Sequence, residues 1–572
     1  MGMAKVGTLS RAIAGLALWC TACGDDASAV GGSSEEDGSS SADDGVDTGS
    51  TGADGVDGST DDGTDDATAT TTGTDPDTTG GTGEPAEDLR VFYELATDPE
   101  APVLAFVDLV DGVASEPLEI ASYTGDRGFS LEADRWIVVR DDAAPELTLH
   151  DVHSPPPFTS WPLDVPGDTT FQQVVATIDG GSTWLLAASD GSVGDLYVVD
   201  VGNEGPSEPW NVNGDLDTIA LGGDPAFVLD DQQVAFRASD DVAGTASIWL
   251  GPAHDAAPGP VLIEEVPDAA LYGPSANEDG TALVYLVGGS NLAPESAHYV
   301  DLAAEPVGAP VVLGMLPGMT SVRFTRFAPD GSGVAFTQES DVAGDLAWIA
   351  IVDGIPASPV QVSTGESAGL VAFDSVWSPD SRWLTFVVVE TYARFVVRFD
   401  AGVPGVATRI TDPGEGSGNA AFFSPDSQFM YVATSTDASE GRVLRVALDG
   451  DVPGAAETLS GPLVGVQQLV LAEDGRSLYY SGREGSDDPA HAWWVDLSGD
   501  VPAAPARVDS GLAPDEQVFA GLLTPSGSYA LYTVQLEDPD GQRKVVVDLS
   551  TGVETSLADG ALIGFTALRS LR

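Results

Sequence analysis

WSPDSRWLTF (Trp377–Phe386) and FSPDSQFMYV (Phe423–Val432) have one shape: an apolar residue, a Ser-Pro-Asp-Ser turn, and a second apolar run. Asp, Gly, Ser and Pro tolerate tight chain reversal, so each segment reads as a hairpin joining two strands. The same shape recurs as FSLEADRWIVV (Phe129), ATIDGGSTWLLA (Ala176), FVLDDQQVAF (Phe227), SANEDGTALVYL (Ser275), FAPDGSGVAF (Phe327), LAEDGRSLYY (Leu471) and LTPSGSYALY (Leu523). Marked by Asp134, Asp179, Asp231, Asp279, Asp330, Asp380, Asp426, Asp474 and Ser526, the turns are 45 to 52 residues apart. Self-similarity at such a period is the signature of a repeat architecture.

A second element follows each turn, as in LYVVDVGNEGPSEPWNV (Leu196), AHYVDLAAEPVGAPVVL (Ala297), AWIAIVDGIPASPVQV (Ala347), FVVRFDAGVPGVATRI (Phe395) and AWWVDLSGDVPAAPARV (Ala492). It reads as a strand, a Gly/Pro turn and a short outer strand, where proline is tolerated because an edge need not donate every hydrogen bond. Four strands per unit of about 48 residues predict an all-β chain of propeller blades. Counting units gives about ten. RVFYELAT (Arg90) matches a second strand and ALIGFTAL (Ala561) a first strand, so the C-terminal strand is expected to complete the N-terminal blade and close the ring. Two tandem smaller propellers are the alternative.

The S-P-D-[GS]-x-x-[LIV]-x-[FY] core, clearest at Ser378–Phe386, resembles the repeats of TolB-like and WD-repeat-like propellers. A similar repeat builds the propellers of tricorn-type and prolyl-oligopeptidase-type peptidases. The resemblance covers nearly all of residues 89–572 and implies the fold; propellers host many unrelated activities, so it implies no single function.

The rest of the chain divides into two segments of other kinds. Residues 1–23 read as a lipoprotein-type signal peptide: Lys5 and Arg11 form a positive start and Ala12–Trp19 a short apolar run, too short to span a bilayer. CTAC (Cys20–Cys23) resembles a bacterial lipobox, with Cys20 where leucine is usual, and by that resemblance Cys23 is the lipidation site. Residues 24–88 form an acidic Gly/Ser/Thr/Asp-rich linker with nineteen Asp and Glu and no aromatic residue. A segment with so little apolar surface stays disordered, and like charges extend it. DGVDGSTDDGTDD (Asp54–Asp66) lacks the ligand spacing of an EF-hand loop. Residues 89–572 form the repeat domain. The net charge of −69 divides as +2, −19 and −52 over the three parts. Acidity throughout argues against nucleic acid as a partner and against docking on anionic lipid. Cys20 and Cys23 are the only cysteines, so the domain carries no disulfide, thiolate metal site or cysteine nucleophile.

GESAG (Gly365–Gly369) fits the G-x-S-x-G nucleophile elbow, with Ser367 as the reactive serine. An elbow needs a strand, a sharp turn and a helix. GESAG instead lies between an outer strand, PVQVS (Pro359–Ser363), and an inner one, LVAFDSVWSPD (Leu370–Asp380). LPGMTS (Leu316–Ser321) and DPGEGSGN (Asp412–Asn419) are equivalent loops without the motif. Only His491 follows the serine, and it stands where His298 stands in an earlier repeat, as a loop residue. His150 and His153 flank Asp151 but on a strand would face opposite ways, so they read as surface loop histidines rather than as metal ligands. His254 reads as a surface loop residue. Acidic turns such as SDDVAG (Ser239) and ESDVAG (Glu339) read as hairpins, and Trp136, Trp184, Phe336, Phe386 and Tyr480 as packing between blades.

The expectation is therefore an exported, lipid-anchored propeller at the bacterial cell envelope, binding or scaffolding through loops at one face or at the channel mouth. It is read as not an enzyme, without cofactor. A protein is the expected partner, a glycan the second class, and the membrane is met only through the lipidated N-terminus. The competing reading is a propeller hydrolase or lyase with its site in the central channel.

Overall fold

The computed structural model describes residues 88–570, omitting short stretches among them 96–102, 123–128, 141–146, 217–224 and 562–565. The signal segment, the linker and Cys23 lie outside the described residues.

Ten antiparallel sheets of four principal strands follow one another, forming a ten-bladed β-propeller, the fold the resemblance implied. We number the blades in chain order. Blade 4 is Ala226–Val228, Gln233–Asp240, Thr245–Pro252 and Val261–Pro267; blade 5 is Ala269–Ala276, Ala282–Gly289, Pro294–Asp301 and Val311–Val312. Blade 6 runs Ser321–Phe327, Gly333–Glu339, Gly344–Val352 and Val360–Gln361; blade 7 runs Ala372–Trp377, Trp383–Val388, Arg394–Asp400 and Thr408–Arg409. Blade 9 starts at Val466 and blade 10 at Gln517. Blade 1 takes its innermost strand from the other end of the chain. Thr566–Ser570 pairs with Leu89–Leu95, with Val91 opposite Leu568. One array closes on itself, so the two-propeller alternative falls away, and closure removes two sheet edges.

The second strands are the most buried of each blade, and Trp383–Val388 and Ser477–Gly482 are buried along their whole length. Neighbouring blades cover them on both faces, so they read as continuous apolar runs rather than alternating ones. The core lies in layers between blades. Trp348, Trp377 and Phe399 pack with centroids 4.8 to 5.3 Å apart between blades 6 and 7. Among the described residues the only helical turn is Gly365–Ser367.

The Ser-Pro-Asp turn has a local cause. Ser378 Oγ donates to Asp380 Oδ1 (2.6 Å) and accepts from the Trp383 amide (2.9 Å), and Asp380 Oδ1 also takes the Arg382 amide (3.0 Å). The fourth turn residue needs positive φ: Ser381 and Ser427 at 59°, Gly331 at 69°, Gly475 at 71°. Glycine takes that conformation without strain. Serine gains a bond between blades in exchange, since Ser381 Oγ accepts the Asp330 amide (2.9 Å) and Ser427 Oγ the Asp380 amide (3.1 Å).

A second device, repeated in four blades, ties the outer strand back to the third strand 17 residues earlier. The Leu196 amide donates to Asn213, Leu346 to Ser363, Arg394 to Thr411 and Val443 to Ser460.

Candidate functional site

The innermost strand of a blade faces the central channel. In blade after blade that strand carries a β-bulge: between Tyr272 and Ser275, Arg323 and Arg326, Phe373 and Val376, and Val518 and Ala520. A bulge breaks the two-residue alternation and turns extra side chains out of the sheet. In blade 6 the bulge presents Arg323, Phe324, Thr325 and Arg326. Phe324 is 51% exposed and holds φ 50°, a conformation that bulky residues rarely adopt. Arg323 Nε lies 3.2 Å from Glu339 Oε2. Arg326 is open to water but ringed by protein, which lowers its pKa from the ordinary guanidinium value, while the Asp374 carboxylate acts in the opposite sense.

Blade 7 supplies the adjoining wall. Asp374, also at positive φ (48°), sits in its bulge and pairs with the fully buried Arg394, Nη2 to Oδ2 2.6 Å. Burial lowers the Arg394 pKa, and the Asp374 carboxylate acts in the opposite sense. Tyr392, exposed on the loop before Arg394, stacks edge-on with Phe373 at 6.2 Å. Phe519 is exposed at the bulge of blade 10. The channel wall at blades 6 and 7 thus joins two solvent-reached guanidiniums, exposed aromatic rings and a carboxylate.

The sequence-derived candidates fall elsewhere. Ser367 ends the short helical turn, fully buried, and its Oγ donates to the Thr364 carbonyl (3.0 Å). Its loop is pinned by Asp345, which accepts from the Ser363 hydroxyl (2.6 Å) and the Gly369 amide (2.9 Å). No strand–turn–helix elbow forms. His491 opens the third strand of blade 9, with Nδ1 2.7 Å from Asp509 Oδ2, and Arg507 lies against both. It is therefore a buried strand residue and not the loop residue expected. Asp509 holds the place of Ser363 and Thr411, so the pair is the blade 9 form of the tie between outer and third strands. His150 is a buried strand residue of blade 2 and not the surface loop residue expected, while His153 is exposed in the following turn, and the two do not converge. Burial alone pushes His150 down to about 4. Glu339 lies at the end of its strand against Arg323 rather than in a metal cluster. Among the described residues no group of three or more His, Cys, Asp or Glu is placed to hold a metal.

His298 departs from the expectation. It lies two residues past the position equivalent to His491, inside the third strand of blade 5 and 8% exposed. Its Nδ1 is 2.8 Å from Glu264 Oε2 on the outer strand of blade 4, and its Nε2 is 3.0 Å from Ser296 Oγ. The Tyr285 hydroxyl, on the paired strand opposite His298, donates to the same Glu264 oxygen. Burial, then the hydrogen bond to Glu264, push the Tyr285 pKa well up, so it remains a donor. Sequence reading missed Glu264 and Ser296, and the arginines of blade 6.

No family model matches the chain, and no curated protein does. Solved structures match at low identity. A prolyl endopeptidase is 13% identical, with TM-score 0.37, over 80% of this chain and 54% of its own. An oligogalacturonate lyase in complex with manganese is 14% identical, with TM-score 0.33, over 72% and 94%. The periplasmic gluconolactonase of Pseudomonas aeruginosa is 19% identical, with TM-score 0.29, over 57% and 95%. These likenesses bring neither reaction nor substrate to this chain. The expectation that the chain is not an enzyme is withdrawn, since proteins that match it at this low identity include a peptidase, a lyase and a lactonase.

Proposed function

We propose that the channel wall at blades 6 and 7 is the working surface, and that it binds an anionic, ring-bearing polymer of the cell envelope, an acidic glycan. One observation carries this: the bulged inner strand of blade 6 sets exposed Phe324 between Arg323 and Arg326. Guanidiniums recognise carboxylates through paired hydrogen bonds, and an aromatic face stacks on the apolar side of a sugar ring. Around this patch the domain carries −52, which repels acidic ligands everywhere else. Strained backbone concentrates at functional sites, and Phe324 and Asp374 are such positions on adjacent blades.

The test is a titration with a polyuronate and, as control, a neutral glucan. Saturable polyuronate binding that drops at least ~10-fold in Arg326→Glu supports the reading; binding unchanged by that substitution, or equal binding of the glucan, refutes it. In this reading the acidic spacer holds the ring away from a membrane to which Cys23 is acylated, at the bacterial cell envelope. Equal palmitate label in Cys23→Ala and the parent would remove the anchor. A second reading, hydrolysis, is favoured by the Ser296–His298–Glu264 contacts.

A further inference from the structure

The contacts of His298 stand out against the repeat. Ala297 is the blade 5 equivalent of Leu196, Leu346, Arg394 and Val443, since its carbonyl accepts the Leu313 amide as theirs accept Val212, Val362, Ile410 and Leu459. Seventeen residues on, where the other blades place Asn213, Ser363, Thr411 or Ser460, blade 5 has Gly314. In blades 3 and 6 the residue before this position, Asp195 or Asp345, bonds the tying side chain at 3.0 and 2.6 Å, and in blade 9 His491 bonds Asp509. The equivalent residue in blade 5 is Ser296. Gly314 offers it no side chain, so the tie is missing and the Ser296 hydroxyl turns to His298 Nε2 instead. The register shift between Val287 and Gly288 lies opposite Pro294–Ser296 and re-aims this end of the strand.

The resulting chain has an acid, an imidazole and a hydroxyl in order. Glu264 faces Nδ1 of His298 and Ser296 Oγ faces Nε2, so in the neutral tautomer with its proton on Nδ1 the imidazole offers its Nε2 lone pair to the serine. Tyr285 donates to the same carboxylate oxygen and holds it in place. His298 is nearly buried, while Ser296 is only half-buried. Roles, not sequence order, define such a triad.

We propose that Ser296, His298 and Glu264 form a hydrolytic triad that cleaves short-chain acyl esters. Ser296 Oγ attacks the ester carbonyl carbon as its proton passes to His298 Nε2, and Glu264 stabilises the imidazolium. The tetrahedral adduct collapses, the C–O bond to the alcohol breaks, and the leaving alkoxide takes the proton back from Nε2. Water then attacks the acyl–Ser296 ester with His298 again as base, releasing the carboxylic acid and restoring the serine. Ser296 sits on the third strand of its blade rather than on the channel-lining first strand, and its partial exposure admits a small acyl group.

The experiment treats the whole chain with a fluorophosphonate probe and with p-nitrophenyl acetate. The expected result is probe label on the peptide carrying Ser296, and hydrolysis that falls at least ~100-fold in Ser296→Ala and in His298→Gln. Ser367→Ala leaves both unchanged. Circular dichroism and melting checks each variant. Ser296→Ala removes one half-exposed hydroxyl and is the variant least able to unfold the blade. Ser296→Cys restores a nucleophile and with it acyl transfer. Absence of label on Ser296 in the folded protein, or hydrolysis equal in Ser296→Ala and the parent, overturns the proposal and leaves the three residues as a packing network.

Discussion

The backbone of Phe324 allows the channel-wall reading to be tested on stability and binding at once, through the paired substitutions Phe324→Ala and Phe324→Gly. Both remove the ring. It is about half exposed, so either substitution loses roughly 1 kcal/mol of apolar burial. They differ in the backbone. At φ 50° any residue with a Cβ bears a left-handed penalty of about 1–2 kcal/mol, which alanine keeps and glycine escapes. Glycine gives back roughly 0.5–1 kcal/mol through the greater freedom of its unfolded chain. Phe324→Gly should therefore be more stable than Phe324→Ala by about 0.5–1 kcal/mol, the reverse of the usual order inside a strand. Urea midpoints compared at a common slope measure the difference. Polyuronate binding should fall equally in both. An alanine variant as stable as the glycine variant, or more so, would refute the strain argument. A glycine variant that binds like the parent would remove the ring from the site.

Stability should also fall in mild acid because of His150. Its folded pKa is lowered by burial to about 4, so between the ordinary 6.5 and that value the unfolded chain takes up a proton the folded chain refuses. The loss begins as pH drops below 6.5 and levels off near 4, with an upper limit of about 3 kcal/mol, and His150→Leu should flatten this part of the midpoint-against-pH curve. If the slope is unchanged in His150→Leu, the buried neutral imidazole is not its source. Truncation after Phe565 removes the strand that pairs with Leu89–Leu95 and exposes an edge in blade 1. A melting temperature lowered by more than ~10 °C, partly restored by adding the missing segment as a peptide, is expected; an unchanged melt would show that closure contributes nothing.

Much of the fold was legible because it is written in local chemistry. The Ser-Pro-Asp turn closes on its own residues, so each hairpin announces itself within about ten positions, and regular spacing converts turns into blades. The segments that begin at Arg90 and Ala561 also pointed to ring closure, although the closing strand is Thr566–Ser570 and Ala561 itself ends the outer strand of blade 10. The 17-residue tie was equally readable: Asn213, Ser363, Thr411, Ser460 and Asp509 recur in phase, and Gly314 is visibly the exception. That exception was the one available signal for Ser296. It would have corrected the alignment of His298 with His491, which are two residues out of phase.

The contents of the sites were decided by tertiary structure. Glu264 and His298 are 34 residues apart on different blades, and only the packing of blade 4 against blade 5 brings an acid to the imidazole. The bulges that turn Phe324 and Asp374 toward the channel depend on how an inner strand fits its circle, which no turn motif encodes. Ser367 shows the converse. Its pentapeptide matched a catalytic pattern, yet the loop folds so that its hydroxyl is spent on the Thr364 carbonyl. Local sequence determined the hairpins and their number, because those follow from short-range backbone preferences and periodic burial, while closure in one ring was settled by the pairing of Thr566–Ser570 with Leu89–Leu95. Which side chains meet across blades was settled only by the register and curvature of the assembled ring, because such contacts join residues with no local reason to be near one another.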